Sequence, residues 1–175
     1  MSEVTNGIGS GGIGSGGDGS GGVRSGGIRS GGSRELPEVS DTEAFGAELA
    51  TCLRAGDLVI LDGPLGAGKT ALARGIGAGL GVRGRITSPT FIIAREHRPA
   101  ESGGPGMVHV DAYRLGGLDE LDALDLDTDL ADAVVVVEWG DGVAERLADH
   151  HMRVRLRRDP DTDVRHVEWE WVTGR

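Results

Sequence analysis

The pattern of apolar and polar positions predicts an ordered core that begins after Pro37. Ser40 and Glu43 have the spacing of a capping box, and apolar residues then recur at helical intervals until Gly56, so we expect a first helix here. Residues 58–61 form a short apolar run typical of a buried strand. A glycine-rich turn follows, and residues 70–80 then show a helical pattern despite their glycines.

The second half of the chain contains further patterns of both kinds. Short apolar or alternating runs predict strands at residues 91–96, 107–111, 133–138, 152–157 and 164–172. Helical patterns are expected at residues 118–124 and 142–147. The last two strands are separated only by a turn at residues 159–161, which indicates an antiparallel hairpin added to an otherwise parallel sheet.

The start of the chain is a repeat. Residues 8–32 are five pentapeptides that each end in Ser-Gly-Gly, and the first 34 residues hold 14 of the 32 glycines and no aromatic residue. The lack of groups to bury predicts a flexible tether, with a span of roughly 30 Å. We therefore assign residues 1–34 to a disordered tail and residues 35–175 to a single domain.

Charge and cysteine content narrow the function classes. The formal net charge is −10, so the basic footprint of a duplex nucleic-acid-binding protein is missing. Cys52 is the only cysteine, which excludes an internal disulfide and a cysteine-based zinc site. Without a signal-peptide pattern or a run of about 18 apolar residues, we expect a cytoplasmic protein that does not enter a membrane.

Residues 63–70 match the phosphate-binding pattern G-x-x-x-x-G-K-[ST] between a predicted strand and a predicted helix. The expected nucleotide-binding residues are Gly63, Pro64, Leu65, Gly66, Ala67, Gly68, Lys69 and Thr70. Glycine permits a tight loop whose N–H groups converge on phosphate oxygens. We expect Lys69 to neutralise the β and γ phosphates and Thr70 to ligate Mg²⁺. The predicted fold is α/β, P-loop NTPase-like and three-layered, with a mainly parallel sheet and a C-terminal antiparallel hairpin.

Lysine usage indicates which nucleotide is bound. Lys69 is the only lysine among 18 basic residues. A compact ammonium between two phosphates is not replaced by a planar guanidinium, so a lone lysine fits a phosphate site. The guanine-reading N-K-x-D signature needs a second lysine, and we therefore predict ATP or ADP.

Two carboxylates close predicted strands. Glu138 follows four valines and is the expected catalytic and Mg²⁺-binding carboxylate. Asp111 ends the strand 107–111, where it could bind the shell of the metal ion or orient the attacking water. Thr90 lies in the polar loop 87–91, which suits a sensor of the γ-phosphate and is equally a turn.

An acidic stretch and the five histidines give less specific predictions. Residues 119–132 hold seven carboxylates in 14 residues, which is a solvated face or a surface for a basic partner. The five histidines do not fall into metal-ligand spacing, so we predict no zinc site.

The segments GPLGAGKT, TSPTF, HVDAYRL and VVVVEWG, in this order, resemble the TsaE family, the small ATPases of bacterial tRNA threonylcarbamoyladenosine biosynthesis. The resemblance covers roughly residues 40–170. The residues that it assigns to phosphate, metal, hydrolysis and the switch loop are Lys69, Thr70, Asp111, Glu138 and Thr90. It also places Trp139 in the nucleotide-binding neighbourhood, without a role that the residues explain. Pro64 departs from the family, and it removes one N–H from the loop.

The resemblance implies ATP binding and slow hydrolysis that resets a larger complex. In that complex a transferase subunit and its paralogue add threonylcarbamoyl to adenosine 37 of tRNA, so these two proteins are the expected partners. An acidic chain without a duplex nucleic-acid-binding face is consistent with partners that contact the tRNA.

Two other functions stay open at this point. One is a small-molecule kinase of the shikimate-kinase-like type, although the dense arginines at residues 153–158 fall on a predicted strand and not on a lid. The other is a nucleotide-dependent scaffold that does not hydrolyse.

Overall fold

The computed structural model describes residues 27–87, 93–114, 124 and 131–173, which form seven strands and two α-helices. In chain order these are β1 (Gly32–Leu36), α1 (Val39–Ala50), β2 (Leu58–Asp62), α2 (Lys69–Leu80), β3 (Ala94–His97), β4 (Gly106–Asp111), β5 (Ala133–Glu138), β6 (His150–Arg158) and β7 (Arg165–Thr173). Short 3-10 turns occupy Ile28–Ser30, Ala112–Arg114 and Ala144–Arg146. Neither helix of this described part is long and apolar enough to cross a membrane.

All seven strands join one sheet in the order β1-β7-β6-β2-β5-β4-β3. The four central strands, β6, β2, β5 and β4, run parallel, whereas β1, β7 and β3 pair antiparallel with their neighbours. The structure therefore confirms a mixed α/β fold whose sheet has a parallel centre. It also confirms the predicted hairpin of β6 and β7.

Strands β2, β4 and β5 are buried on both faces, which explains their mostly apolar sequences, whereas β6 alternates buried apolar residues with half-buried arginines. Alternate residues of a strand point to opposite faces of the sheet. In β2, Val59 and Leu61 join the core that contains Phe45 of α1 and Ile76 of α2. Leu58 and its alternating neighbours in β4 and β5 form a second apolar cluster on the other face.

The glycines of α2 allow the two helices to pack closely. A Cβ atom on Gly75 would overlap the backbone of Glu43 in α1, and one on Gly46 would overlap the backbone of Leu72 in α2. Glycine lowers intrinsic helix propensity by about 1 kcal/mol relative to alanine, so the pattern carries a local cost. The glycines nevertheless allow the backbones of the two helices to approach each other closely.

The first helix is capped differently from the prediction. Helix α1 begins at Val39 with Glu38 as its N-cap, and the capping box joins Glu38 to Asp41 instead of Ser40 to Glu43. Glu43 forms an ion pair with Arg74 of α2 at 2.9 Å. Two overlapping pairs of residues have capping-box spacing here, Glu38 with Asp41 and Ser40 with Glu43. The prediction named the second pair, but Glu43 is used in the tertiary contact with Arg74.

Other predicted boundaries also change. The structure places β3 at Ala94–His97 and not at 91–96, and residues 88–92 lie outside the described part. The predicted helix at 142–147 is wrong, because only a 3-10 turn forms after Gly142, whose φ is 82°. The predicted helix at 118–124 lies outside the described residues except for Leu124.

Ordered structure starts before residue 35, where the sequence placed the end of the tail. Strand β1 pairs with β7, and the Trp169 indole Nε1–H donates to the Ile28 carbonyl oxygen at 3.1 Å. The Arg34 guanidinium lies 4.9 Å from the centre of the Phe45 ring and bonds Glu48 at 2.6 Å, which holds the pKa of Glu48 below its usual value. Residues 28–34 therefore belong to the domain. Residues 1–26 lie outside the described part, so the tail stays a prediction there.

Two deletions test this boundary. We expect removal of residues 2–26 to leave the melting temperature unchanged, because the described contacts begin after them. Removal of residues 2–34 should lower it by about 5 to 10 °C, since most of an edge strand, the Trp169 hydrogen bond and the Arg34 contacts are lost together. Calorimetry of the two truncated proteins measures both values. Equal melting temperatures would show that β1 does not stabilise the domain.

Candidate functional site

The candidate site lies at the carboxyl ends of three neighbouring parallel strands. Their register places Leu61 of β2 beside Glu138 of β5, and Glu138 beside Asp111 of β4. The cavity above them has a volume of about 440 Å³. The sequence-predicted residues that line it are Leu65, Gly66, Gly68, Lys69, Thr70, Asp111, Glu138 and Trp139. The structure thus brings these residues together at one cavity, while the predicted loop residues Gly63, Pro64 and Ala67 are not among its lining.

The loop between β2 and α2 follows a path that favours glycine. The φ angles are positive at Gly63 (144°), Gly66 (79°) and Gly68 (108°). A Cβ atom on Gly63 would also overlap the carbonyl oxygen of Leu156 in β6. Ala67 is buried behind the loop and donates its N–H to the Pro64 carbonyl oxygen at 3.1 Å, whereas Leu65 is 91% exposed. The loop leads into the first turn of α2, whose N–H groups lack partners within the helix.

Lys69 is the first residue of α2, and its buried side chain reaches back to this loop. Its ammonium donates to the carbonyl oxygens of Gly63 at 2.5 Å and Pro64 at 3.0 Å. It also lies 3.7 Å from the centre of the Trp139 ring, a cation–π distance. Burial lowers the pKa of Lys69, and the nearby carboxylates, Glu138 foremost, oppose that shift.

Trp139 has an unusual backbone conformation. Its φ is 62°, a region that costs a bulky residue energy, and its N–H donates to the Leu61 carbonyl oxygen at 3.0 Å. The indole ring packs against Tyr113, with 5.1 Å between ring centres. This backbone turn brings the ring face to the Lys69 ammonium. The structure thus supplies a role for Trp139 that its position in the sequence did not.

Glu138 is only 3% exposed and accepts hydrogen bonds from two side chains. The Thr70 hydroxyl donates to Oε1 at 2.9 Å and lies 3.2 Å from Oε2. The His109 Nε2 atom lies 2.9 Å from Oε1. Sequence reasoning missed His109, because it tested the histidines only for metal-ligand spacing. A sequence signal existed, since His109 and Asp111 are two residues apart on a buried strand and so share a face.

Of the two remaining predicted site residues, the structure describes Asp111 but not Thr90. Asp111 lies at the end of β4 beside Glu138, and its Oδ1 accepts the Tyr113 backbone N–H at 3.1 Å. Thr90 lies outside the described residues, as does nearly all of the acidic stretch 119–132. The roles of Thr90 and of that stretch therefore stay predictions.

The donors around Thr70 suit a metal ion that is shared with a ligand. In the described part of the chain, no group of three or more His, Cys, Asp or Glu side chains could hold a metal ion alone. The Thr70 hydroxyl and the Glu138 carboxylate lie in direct contact, and both are hard oxygen donors of the kind that Mg²⁺ prefers. Mg²⁺ commonly takes one or two protein ligands and completes its shell with phosphate oxygens and water. The residues therefore fit Mg²⁺ together with a phosphate group.

Arg74 is a cation that the sequence analysis did not place at this site. It lines the cavity one turn beyond Thr70, and Glu43 of α1 holds its guanidinium at 2.9 Å. Three arginines of β6 form ion pairs with other carboxylates: Arg153 with Glu145, Arg155 with Glu170, and Arg158 with Asp163. The described cation at the cavity besides Lys69 is thus already engaged by a carboxylate.

A protein-family model described as "Threonylcarbamoyl adenosine biosynthesis protein TsaE" matches residues 36–167. Curated relatives bear the name "tRNA threonylcarbamoyladenosine biosynthesis protein TsaE". The one from Streptomyces coelicolor is 60% identical over 133 residues, which cover 74% of this chain and 87% of the relative. The one from Mycobacterium tuberculosis is 58% identical over 142 residues, covering 78% and 84%. Among solved structures, the crystal structure of Bacillus subtilis YdiB matches with a TM-score of 0.61 and 27% identity, covering 81% of this chain and 85% of YdiB.

The conformation of the loop can be tested with two glycine substitutions. Gly63→Ala places a Cβ against the backbone of β6, whereas Gly103→Ala, at φ 98°, has open space around it. We expect Gly103→Ala to cost about 1 to 2 kcal/mol from its backbone angle alone. Gly63→Ala should cost clearly more, and urea unfolding measures both. Equal losses would show that the close approach to Leu156 does not constrain the loop.

Proposed function

Since the chain belongs to the TsaE family of tRNA threonylcarbamoyladenosine biosynthesis proteins, we propose that it binds ATP and Mg²⁺ at this site and hydrolyses ATP slowly. In this proposal the hydrolysis supports threonylcarbamoylation of tRNA adenosine 37. The chain acts as a subunit or recycling factor beside the transferase subunit and its paralogue. The proposal includes a P-loop NTPase-like, three-layer architecture.

The observation that carries the proposal is the contact between Thr70 and Glu138. These residues are 68 positions apart, and the structure brings the hydroxyl that follows Lys69 to 2.9 Å from the buried carboxylate. A phosphate-binding loop alone fits many ligands. A loop whose threonine meets a strand-end carboxylate has the two oxygen donors that a phosphate-bound Mg²⁺ requires.

Each residue has a separate task in the proposed reaction. Lys69 supplies positive charge to the phosphates from within the loop, and Thr70 and Glu138 hold the metal. Bound Mg²⁺ would neutralise charge that develops on the phosphate oxygens. Asp111 lies beside Glu138 and is exposed enough to orient a water molecule or to contact the shell of the metal ion.

The arrangement of cations supports a slow intrinsic rate. Arginine placed over a transferred phosphoryl group raises phosphoryl-transfer rates by about 10³- to 10⁵-fold. Of the residues that line the described cavity, the one arginine is Arg74, and it is paired with Glu43. A partner that supplies a cation, or that releases Arg74 from Glu43, would complete the site.

The kinase alternative is not favoured. The family model and the curated relatives above bear names from tRNA threonylcarbamoyladenosine biosynthesis. The dense arginines of the sequence lie on β6, within the sheet, as the strand prediction required.

Two substitutions separate nucleotide binding from turnover. Lys69→Ala should weaken ATP binding by about 100-fold or more, because the charge between the phosphates is lost. Glu138→Gln should bind ATP within a few-fold of the wild type but release phosphate about 100-fold more slowly. Calorimetric titration and a phosphate-release assay measure the two properties. Normal ATP affinity in Lys69→Ala would contradict the nucleotide site, and normal turnover in Glu138→Gln would move the catalytic role to Asp111.

The partner dependence is a separate prediction. We expect the isolated protein to release phosphate very slowly and the cognate transferase pair to stimulate it at least tenfold. Phosphate release is measured with the pair present and absent, and the pair mixed with Lys69→Ala serves as the control for contaminating ATPase. Ordinary enzyme turnover in the isolated protein, unaffected by the pair, would contradict the proposed role in the complex.

A further inference from the structure

His109 lies behind the proposed metal-binding carboxylate and has no role in the function described so far. It occupies the middle of β4, is fully buried, and pairs in register with Val136, two residues before Glu138 on β5. Because alternate residues share a face, His109, Asp111 and Glu138 all point to the side of the sheet that α2 covers. The His109 ring therefore approaches Glu138 from within the core.

The two oxygens of Glu138 have unequal partners. Oε1 lies 2.9 Å from both the Thr70 hydroxyl and His109 Nε2, whereas Oε2 has only the longer contact with Thr70, at 3.2 Å. An ionised carboxylate can only accept hydrogen bonds, so His109 must carry its hydrogen on Nε2. The other ring nitrogen, Nδ1, is buried and has no hydrogen-bond partner within the described residues, so the described hydrogen bond of this ring is the one to Glu138.

We propose that His109 is a positioning residue for Glu138. By holding Oε1 from inside the core, His109 fixes the side chain of Glu138, so that Oε2 would be available to a bound metal ion. The inference rests on the proposed Mg²⁺ and nucleotide site, and it assigns His109 no contact with the reacting atoms. Removal of a hydrogen bond that orients a metal-binding side chain typically changes metal affinity or activity by about 10- to 100-fold.

A buried histidine here needs a reason other than packing. A buried polar ring costs free energy that leucine would not, and its hydrogen bond has to offset that cost. His97 provides the internal comparison, since it is also buried, on the neighbouring strand β3. Its Nδ1 lies 3.3 Å from the Arg83 carbonyl oxygen, and no described hydrogen bond joins it to Glu138. His97 is therefore also a buried polar ring, but it lacks the hydrogen bond to Glu138 that His109 makes.

Two amide substitutions test the hydrogen bond itself. The amide nitrogen of glutamine can take the place of Nε2, whereas the shorter asparagine reaches only the position of Nδ1. We expect His109→Asn to lower phosphate release by about 10- to 100-fold and His109→Gln to retain most of it. ADP affinity without Mg²⁺ should stay within a few-fold of wild type in both variants. The gain in ADP affinity on adding Mg²⁺ should be lost in His109→Asn and kept in His109→Gln.

The control is His97→Asn, which removes a buried ring from the adjacent strand. We expect it to lower the melting temperature and to leave both the Mg²⁺ effect and turnover unchanged at a temperature where it is folded. Equal Mg²⁺ effects in His109→Asn and wild type, or the same loss in His97→Asn, would overturn the inference and leave the proposed function standing. A wild-type protein that binds Mg²⁺-ADP but releases no phosphate from ATP would overturn the proposed hydrolysis, while the Asn and Gln comparison would still decide the role of His109.

Discussion

The Glu138 carboxylate lies almost completely buried at the end of the central strand β5, and the site is built around holding its charge there. An unpaired carboxylate in such a place is strongly unfavourable, so it needs hydrogen-bond donors and nearby positive charge. Thr70 supplies a donor from α2, His109 supplies one from β4, and Lys69 places an ammonium within the same cavity. Lys69 and Thr70 belong to α2, His109 to β4 and Glu138 to β5, which ties the geometry of the site to the packing of these elements.

The hydrogen bond between Thr70 and Glu138 also depends on the position of α2. Thr70 belongs to the first turn of α2, so its distance from Glu138 depends on how α2 lies across the sheet. Closely packed glycines at Gly46 and Gly75 bring α1 and α2 together, while Ile76 anchors α2 in the core. Residues well away from the cavity thus set the 2.9 Å contact on which the proposed metal site depends.

The sequence predicts the features that depend on local pattern. The glycine loop and the valine run before Glu138 have unmistakable local signatures, and parallel strand pairing then brings their ends together. Strand β1 has no such signature, because its sequence is polar and contains glycine. Its segment is held by tertiary contacts, namely the Trp169 hydrogen bond to Ile28 and the packing of Arg34 on Phe45. The partner of His109 is likewise tertiary, since 29 residues separate it from Glu138. For β1 and for His109, the sequence therefore missed what only packing between distant segments determines, whereas the cap of α1 and the turn after Gly142 were local features that it misassigned.

Lys69 is the only lysine of the chain, and its ammonium is buried. Its nearest described contacts are neutral groups, two carbonyl oxygens and the face of Trp139, while carboxylates, Glu138 foremost, act on it as charges. Neutral acceptors bind an ammonium less strongly than phosphate oxygens do, so their exchange for phosphate contacts is favourable. A carboxylate in the place of Trp139 would hold the ammonium more strongly and compete with the ligand. An aromatic face stabilises the buried charge without that competition, which gives a physical reason for a strained tryptophan directly after Glu138.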